Sequence, residues 1–332
     1  MLIDVHAHMI TPGMMNVHDF WGPFMTTSGF TVGHFCLGTS QPMSGTDEEA
    51  TQKLLAKMSH DSRRALMKDR NVDKIVVSIP SHAFMYWAGD FGNEYADICN
   101  NELSQYCVKD PDHFAFWAHA NLADPDAAVK QIEHAVTKLG AKGVCVGGAN
   151  FNGLEAHSPE LFPVWKKVTE LDVPIMIHGY NQSIWRGEDH TSDLFETTSI
   201  LGDCYDESLF LWYLICGGAL DEFPTLKTYI THAGGMSLFQ LGRLDALNKS
   251  MAPDARNKKP LMEYLDQFWF DLDVHALSLR KAVIDIAGID NIVHGTNFGG
   301  AYYFGDKTDE LDLSREDQTK IRSANAIKLL KL

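Results

Sequence analysis

The sequence predicts a parallel βα barrel, on three observations. Short apolar runs alternate with longer amphipathic stretches, eight of each, along 332 residues. Histidines collect at the predicted C-terminal ends of several runs instead of scattering along them. Hydrophobic residues make up 45% and charged residues 22%, a balance that lets one large core be buried. Strict alternation of strand and helix is the signature of a parallel sheet with crossover helices, and eight such units close a barrel.

The predicted strands, in order, are 2–5 (LIDV), 74–79 (KIVVSI), 114–119 (FAFWAH), 143–147 (GVCVG), 174–178 (PIMIH), 227–231 (KTYIT), 268–272 (FWFDL) and 291–295 (NIVHG). Helical patterns fall at 47–70, 93–109, 125–139, 159–171, 207–221, 237–248, 276–287 and 314–330. Boundary residues support them. Asp124 stands as an N-cap before Pro125, and Gly140 ends the same helix. Ser314 with Asp317 three residues on has the pattern of a capping box. Two connections are long, about 9–46 and 179–206. Loops of that length in a compact domain are usually functional or disordered. Their aromatic content, Trp21, Phe24, Phe30 and Phe35 in the first and Tyr180 and Trp185 in the second, argues against disorder. Both follow strands, so both are expected on the catalytic face. No composition break marks a linker, and one domain over 1–332 is expected.

The formal net charge of −16 argues against nucleic acid or an anionic membrane surface as partner. A small anionic substrate held by a few local cations remains compatible. The six cysteines (36, 99, 107, 145, 204, 216) lack CxxC spacing and read as reduced thiols. The start "MLIDVHAHMITPG" has neither a basic segment nor a long apolar one, and no apolar run reaches about 18 residues. A cytoplasmic protein is therefore expected.

His6 and His8 close the first strand. Residues i and i+2 of a strand point to one side, so both imidazoles can face the barrel axis and suit a divalent ion such as zinc. The alternative is two satisfied polar residues at a strand end. His178 ends the fifth strand, His232 the sixth and Asn297 the eighth, with His275 just past the seventh. Side chains at that face of a barrel are where catalysis is placed.

The ordered set "IDVHAH", "VPIMIH", "FPTLKTYITHAGG", the "GR" of "LGRLDAL" and "HGTNF" resembles the amidohydrolase superfamily, in the branch related to aminocarboxymuconate-semialdehyde decarboxylase. The resemblance spans essentially the whole chain. It implies a distorted (β/α)8 TIM barrel of the amidohydrolase type with one divalent metal, usually zinc and sometimes manganese. It further implies that His6, His8 and His178 are metal ligands and that His232 contacts water or substrate at the metal and moves protons. Position 297 matches a metal-binding carboxylate that usually serves as base, but here it is Asn297. Arg243, eleven residues after His232, matches an arginine that reaches the neighbouring subunit's site and binds substrate carboxylate, which implies a homodimer or larger homo-oligomer. The branch also tends to carry an arginine on the first loop; this chain has none before Arg63, a second departure.

The chemistry expected is metal-dependent, non-oxidative decarboxylation of an aromatic or unsaturated ring-cleavage acid. Such a reaction needs a ring carbon protonated and electron density held, which an imidazolium and a metal can provide. The rivals are a carbon–carbon hydrolase or hydratase of a ring-cleavage product, and a barrel that binds its ligand without turnover. Asn297 bears on all three, because an amide cannot take a proton at neutral pH. It is either native or an Asp→Asn replacement. Arg186 is a second anion holder or a loop arginine paired with Glu188 or Asp189. His275, Trp185 and Tyr180 are further candidates for the substrate pocket, with ordinary packing as their alternative.

Overall fold

In the computed structural model, residues 1–16, 52, 55–80, 83–180, 198–299 and 305–332 are described. Trp21, Phe24, Phe30, Phe35, Trp185 and Arg186 lie outside them.

Seven parallel strands form one sheet in the order β1 (Ile3–His8), β2 (Lys74–Ser78), β3 (Phe114–His119), β4 (Gly143–Gly147), β7 (Ile175–His178), β8 (Thr228–Ile230) and β9 (Phe268–Phe270). Chain order and sheet order agree because each crossover returns over the same face. The strands read as nearly continuous apolar runs, such as Ile75, Val76 and Val77, because helices cover the outside and side chains fill the inside. Trp117 is one filler: its Nε1 donates to the Val5 carbonyl at 2.9 Å, and its ring stacks on Tyr229. Gly143 faces that ring closely. A Cβ there would lie 2.4 Å from Trp117, so only glycine fits. A short antiparallel hairpin, β5 (Asn150–Phe151) and β6 (Leu154–Glu155), was not expected from the sequence.

The eighth strand is a correction. Residues 291–295 do not form a ladder; isolated bridges tie Ile292 to Phe270 and Phe298 to Ala7. Val5 N still donates to the His294 carbonyl at 3.0 Å, and Phe298 N to the His6 carbonyl at 2.8 Å. The ring thus closes, but through an irregular segment. Two local features explain it. Gly295 is pressed against Tyr229, His6 and Asp271, where a Cβ would meet the Tyr229 oxygen at 2.6 Å. Asn297 has a left-handed backbone, φ 56°, which no regular strand accommodates. The fold is therefore a distorted βα barrel.

The helices mostly follow expectation. Asp124 caps Pro125–His134 by accepting from Ala127 N at 3.1 Å, and Gly140 stops the turn beyond it at φ 83°. Ser314 accepts from Asp317 N at 3.1 Å. The helix expected from 207 begins earlier, as Asp203–Cys216. Its first two turns carry three buried acids, Asp203, Asp206 and Glu207, which carry no apolar signal. Part of the long connection at 179–206 is thus helix. The five described cysteines are free, and among the described residues no helix is long and apolar enough to cross a membrane.

Two buried histidines give the fold an acid-sensitive element. Burial pushes His119 down to about 3 and His294 down to about 4. Unfolded, both titrate near 6.5. Below that pH the unfolded chain takes up protons that the folded chain refuses, so stability present above about pH 6.5 is lost as pH falls towards 4. Denaturant melts are expected to lose stability over this window, and His119→Gln is expected to flatten the slope. Equal slopes in both proteins would remove His119 as a cause.

Candidate metal centre

Four imidazoles meet at the C-terminal end of the sheet. His6 and His8 rise from β1, His178 ends β7, and His232 follows β8. The ring centroids lie 5.3 Å apart for His6 and His8, 5.1 Å for His6 and His178, 5.1 Å for His6 and His232, and 5.0 Å for both His8–His178 and His178–His232. The register of β1 against β2 shifts between Asp4 and Ala7. A bulge there re-aims the side chains that follow, a device common beside active sites.

Three of the four rings are held by one edge. His8 Nδ1 lies 3.2 Å from Ser78 Oγ, His178 Nδ1 3.0 Å from the Gly179 carbonyl, and His232 Nδ1 2.7 Å from Glu207 Oε1. His6 Nδ1 faces Asp271 Oδ2 at 3.4 Å, close but not aligned as a hydrogen bond. Arg63 adds a hold on the backbone, donating Nη2 to the His8 carbonyl at 2.9 Å. Anchoring one nitrogen of each ring on a carbonyl, hydroxyl or carboxylate is how proteins orient imidazoles toward metals.

The opposite edges fit a divalent ion. The Nε2 atoms of His6 and His178 are buried with no hydrogen-bond partner among the described residues. One ring nitrogen each from His6, His178 and His232 lie within 4.8 Å of one another. Imidazole nitrogens gathered at this spacing are the kind of donor set that would hold a divalent ion such as zinc. Burial, and the neighbouring rings after it, hold His178 well below its ordinary value, so it is a neutral donor. The tightest set thus includes His232, which the resemblance had assigned to proton transfer.

His232 is unusual in backbone and charge. Its φ is 48° and that of Ala233 is 55°, a conformation L residues rarely hold without support. The support is Asp271, whose Oδ1 accepts from Ala233 N at 2.8 Å, together with Glu207 on the ring. Burial opposes charge on His232, yet Glu207, with Asp273 and Asp271, pushes its pKa up to about 10. Glu207 Oε1 also accepts from Thr231 Oγ1 at 2.5 Å and Gly179 N at 3.3 Å. Glu207→Gln keeps this shape and removes the charge. Turnover is expected to fall by roughly 10–100-fold with the melting curve little changed. Unchanged turnover would separate Glu207 from the work of His232.

The sequence reading missed three carboxylates. Asp271 accepts from the Tyr229 hydroxyl at 2.7 Å and from Asp273 N at 3.1 Å. Asp273 lies 4.0 Å from His232 Nε2 and 3.5 Å from His275 Nε2, and burial pushes its pKa up to about 7. Glu207 is the third. Their signal was present in "FDLDVHAL" and "DCYDESLF", acids inside otherwise apolar segments.

The remaining candidates divide. Asn297 is buried, and its Oδ1 has no partner among the described residues. Its neighbours Thr296 and Phe298 bond to Asp4 and to His6 and His8, so it sits beside the strand that carries the first two histidines. His275 is exposed at the rim. Tyr180 is buried among Phe84 and Tyr86, and its hydroxyl donates to the Phe84 carbonyl. Arg243 is exposed on the helix Ser237–Met251. Asp245, two residues on, accepts from Leu261 N at 2.7 Å.

A distorted parallel barrel with histidines converging at its C-terminal end defines a class, and the family comparison agrees. The amidohydrolase family profile matches residues 3–332, and the chain belongs to that family. Among curated relatives, 2-amino-3-carboxymuconate-6-semialdehyde decarboxylase of Dictyostelium discoideum is 22% identical over 89% of this chain and 81% of its own length. The 2-keto-4-carboxy-3-hexenedioate hydratase of a Sphingobium species is 24% identical over 98% of this chain and 94% of its own. Among solved structures, 5-carboxyvanillate decarboxylase of Novosphingobium aromaticivorans, complexed with manganese and 4-hydroxy-3-methoxy-5-nitrobenzoic acid, superposes with a TM-score of 0.81. It is 21% identical and covers 100% of this chain and 96% of its own.

Proposed function

We propose that this chain is a metal-dependent lyase that decarboxylates a small aromatic or unsaturated carboxylic acid. The observation that carries the reading is the group of four imidazoles, three of them anchored by one edge on Ser78, Gly179 and Glu207. His6, His8 and His178 would hold the ion, with Asn297 beside them. Zinc suits imidazole donors, and manganese is the second choice on the strength of the solved relative. When bound, the ion supplies a Lewis acid for an oxygen of the substrate. The protein's own share is proton movement and orientation. His232, fixed through Nδ1 by Glu207, presents Nε2 to the cluster and to Asp273, and can deliver a proton to the substrate carbon as the carboxyl group leaves.

A second reading, hydration of an unsaturated ring-cleavage acid, rests on two observations. The hydratase relative spans nearly the whole chain. Asp273 supplies a carboxylate near His232 that can accept a proton from water, which Asn297 cannot. Other features fit the wider proposal. Exposed Arg243 shares its helix with exposed Phe239, four residues before it, a face suited to a second copy of the chain in a homodimer. Free thiols suit the reducing cytoplasm.

The test is to load the protein with zinc or manganese and incubate it with hydroxybenzoates and unsaturated ring-cleavage acids, following ultraviolet absorbance and carbon dioxide together. Carbon dioxide release supports decarboxylation. Absorbance change without it supports hydration. One bound metal with no change across the panel would sink both.

A further inference from the structure

Asp273 also lines a polar cavity of about 20 Å³. Its walls come from the helix Leu277–Ala287, the closing segment 293–296 and residues 305–308. A volume of that size accommodates a water or a carboxylate-sized anion, not an aromatic ring.

Arg280 lines this cavity and is only 6% exposed, and its Nε is buried with no hydrogen-bond partner among the described residues. The two carboxylates on the walls are engaged elsewhere. Asp306 binds Arg322 Nε at 2.7 Å and accepts from Thr308, while Asp273 faces His232 and His275. Lys307, His294, Thr296 and Thr308 are the other polar residues of the lining, and His294 Nε2 is also buried without a hydrogen-bond partner among the described residues. A guanidinium cannot shed its charge, and of the two wall carboxylates it is Asp273 that feels it, beyond ion-pair distance, so the Arg280 Nε–H keeps an unused donor. A neutral imidazole keeps one N–H to donate. The walls therefore carry both signs of charge, and the donors left without a partner among the described residues are on the Arg280 and His294 side.

We propose that this cavity is an anion site that takes one carboxylate-sized monoanion between Arg280, Lys307 and His294. The anion is a free small carboxylate or a second carboxyl group borne by the substrate, since Asp273 lines both this cavity and the approach to His232. The site needs neither metal nor turnover, so it stands or falls apart from the proposed reaction.

The probe is sodium acetate titrated into the full chain and into Arg280→Gln, read by melting temperature. A saturable rise is expected in the parent, with affinity weakened roughly thirtyfold or more in the variant. Crystals soaked in sodium bromide are expected to show anomalous density beside the Arg280 guanidinium. If Arg280→Gln does not fold, Lys307→Ala on the same wall is expected to weaken acetate several-fold. Isophthalate and benzoate then separate the sources. Competition with acetate by isophthalate alone assigns the site to a substrate carboxyl group, and additive binding assigns it to a free anion. Identical acetate titrations in parent and variant, or no saturable response and no bromide density, would overturn the proposal.

Discussion

Alanine at position 178 is expected to abolish metal retention and to lower turnover by at least about a thousandfold, roughly 4 kcal/mol of barrier. His178 is fully enclosed, its Nδ1 is fixed at 3.0 Å from the Gly179 carbonyl, and its Nε2 has no hydrogen-bond partner among the described residues. A side chain held that way contributes little to folding through hydrogen bonds and much to an ion. The variant should therefore still fold, because the lost ring is one side of a polar cluster and not a packed apolar contact. Metal content by elemental analysis, measured beside turnover and melting temperature, checks this. One equivalent of ion retained by folded His178→Ala would remove His178 from the centre. His6→Ala should behave similarly in metal content but fold less well, because His6 also packs under Gly295 and faces Asp271.

Asn297→Asp is expected to move activity and stability in opposite directions when metal is absent or present. The amide is buried and its Oδ1 lacks a partner among the described residues, so a carboxylate there adds a buried charge in the metal-free chain. That costs about 1–3 kcal/mol, and the melting temperature should fall. With a divalent ion bound, the same carboxylate becomes a better ligand and a base. Metal affinity should then rise and turnover increase by about a hundredfold, near 2.7 kcal/mol of barrier. Loss of activity would instead mean that the amide is native to a reaction needing no carboxylate there. No change in melting, affinity or rate would remove position 297 from the site. The backbone does not decide between the two residues, because asparagine and aspartate both tolerate φ 56° better than most.

The strand order, most helices and the convergence of His6, His8, His178 and His232 were legible because they depend on local pattern. Period-two and helical spacing place side chains on faces, and a barrel puts every strand's C-terminal end on one rim. The carboxylates that tune the site were not legible. Asp271 and Asp273 follow a strand that looked longer in the sequence, and Glu207 lies on a helix whose first turns hide their acids inward. Nothing in spacing says that an acid 25 residues before His232 will bond its ring, as Glu207 does.

The eighth strand shows the same boundary from the other side. "NIVHG" has the composition of a strand, and by itself it determined that this stretch would be buried and extended. Only the packed barrel decided that it would close the ring by single bridges, because Gly295 must pass beneath Tyr229 and beside His6. The sequence alone determined the family, the alternation and the histidines, since these are written in residue identity and period. Which carboxylate faces which imidazole, and the burial of Arg280 with its Nε unpartnered among the described residues, were decided by tertiary structure, because charge burial depends on neighbours distant in the chain.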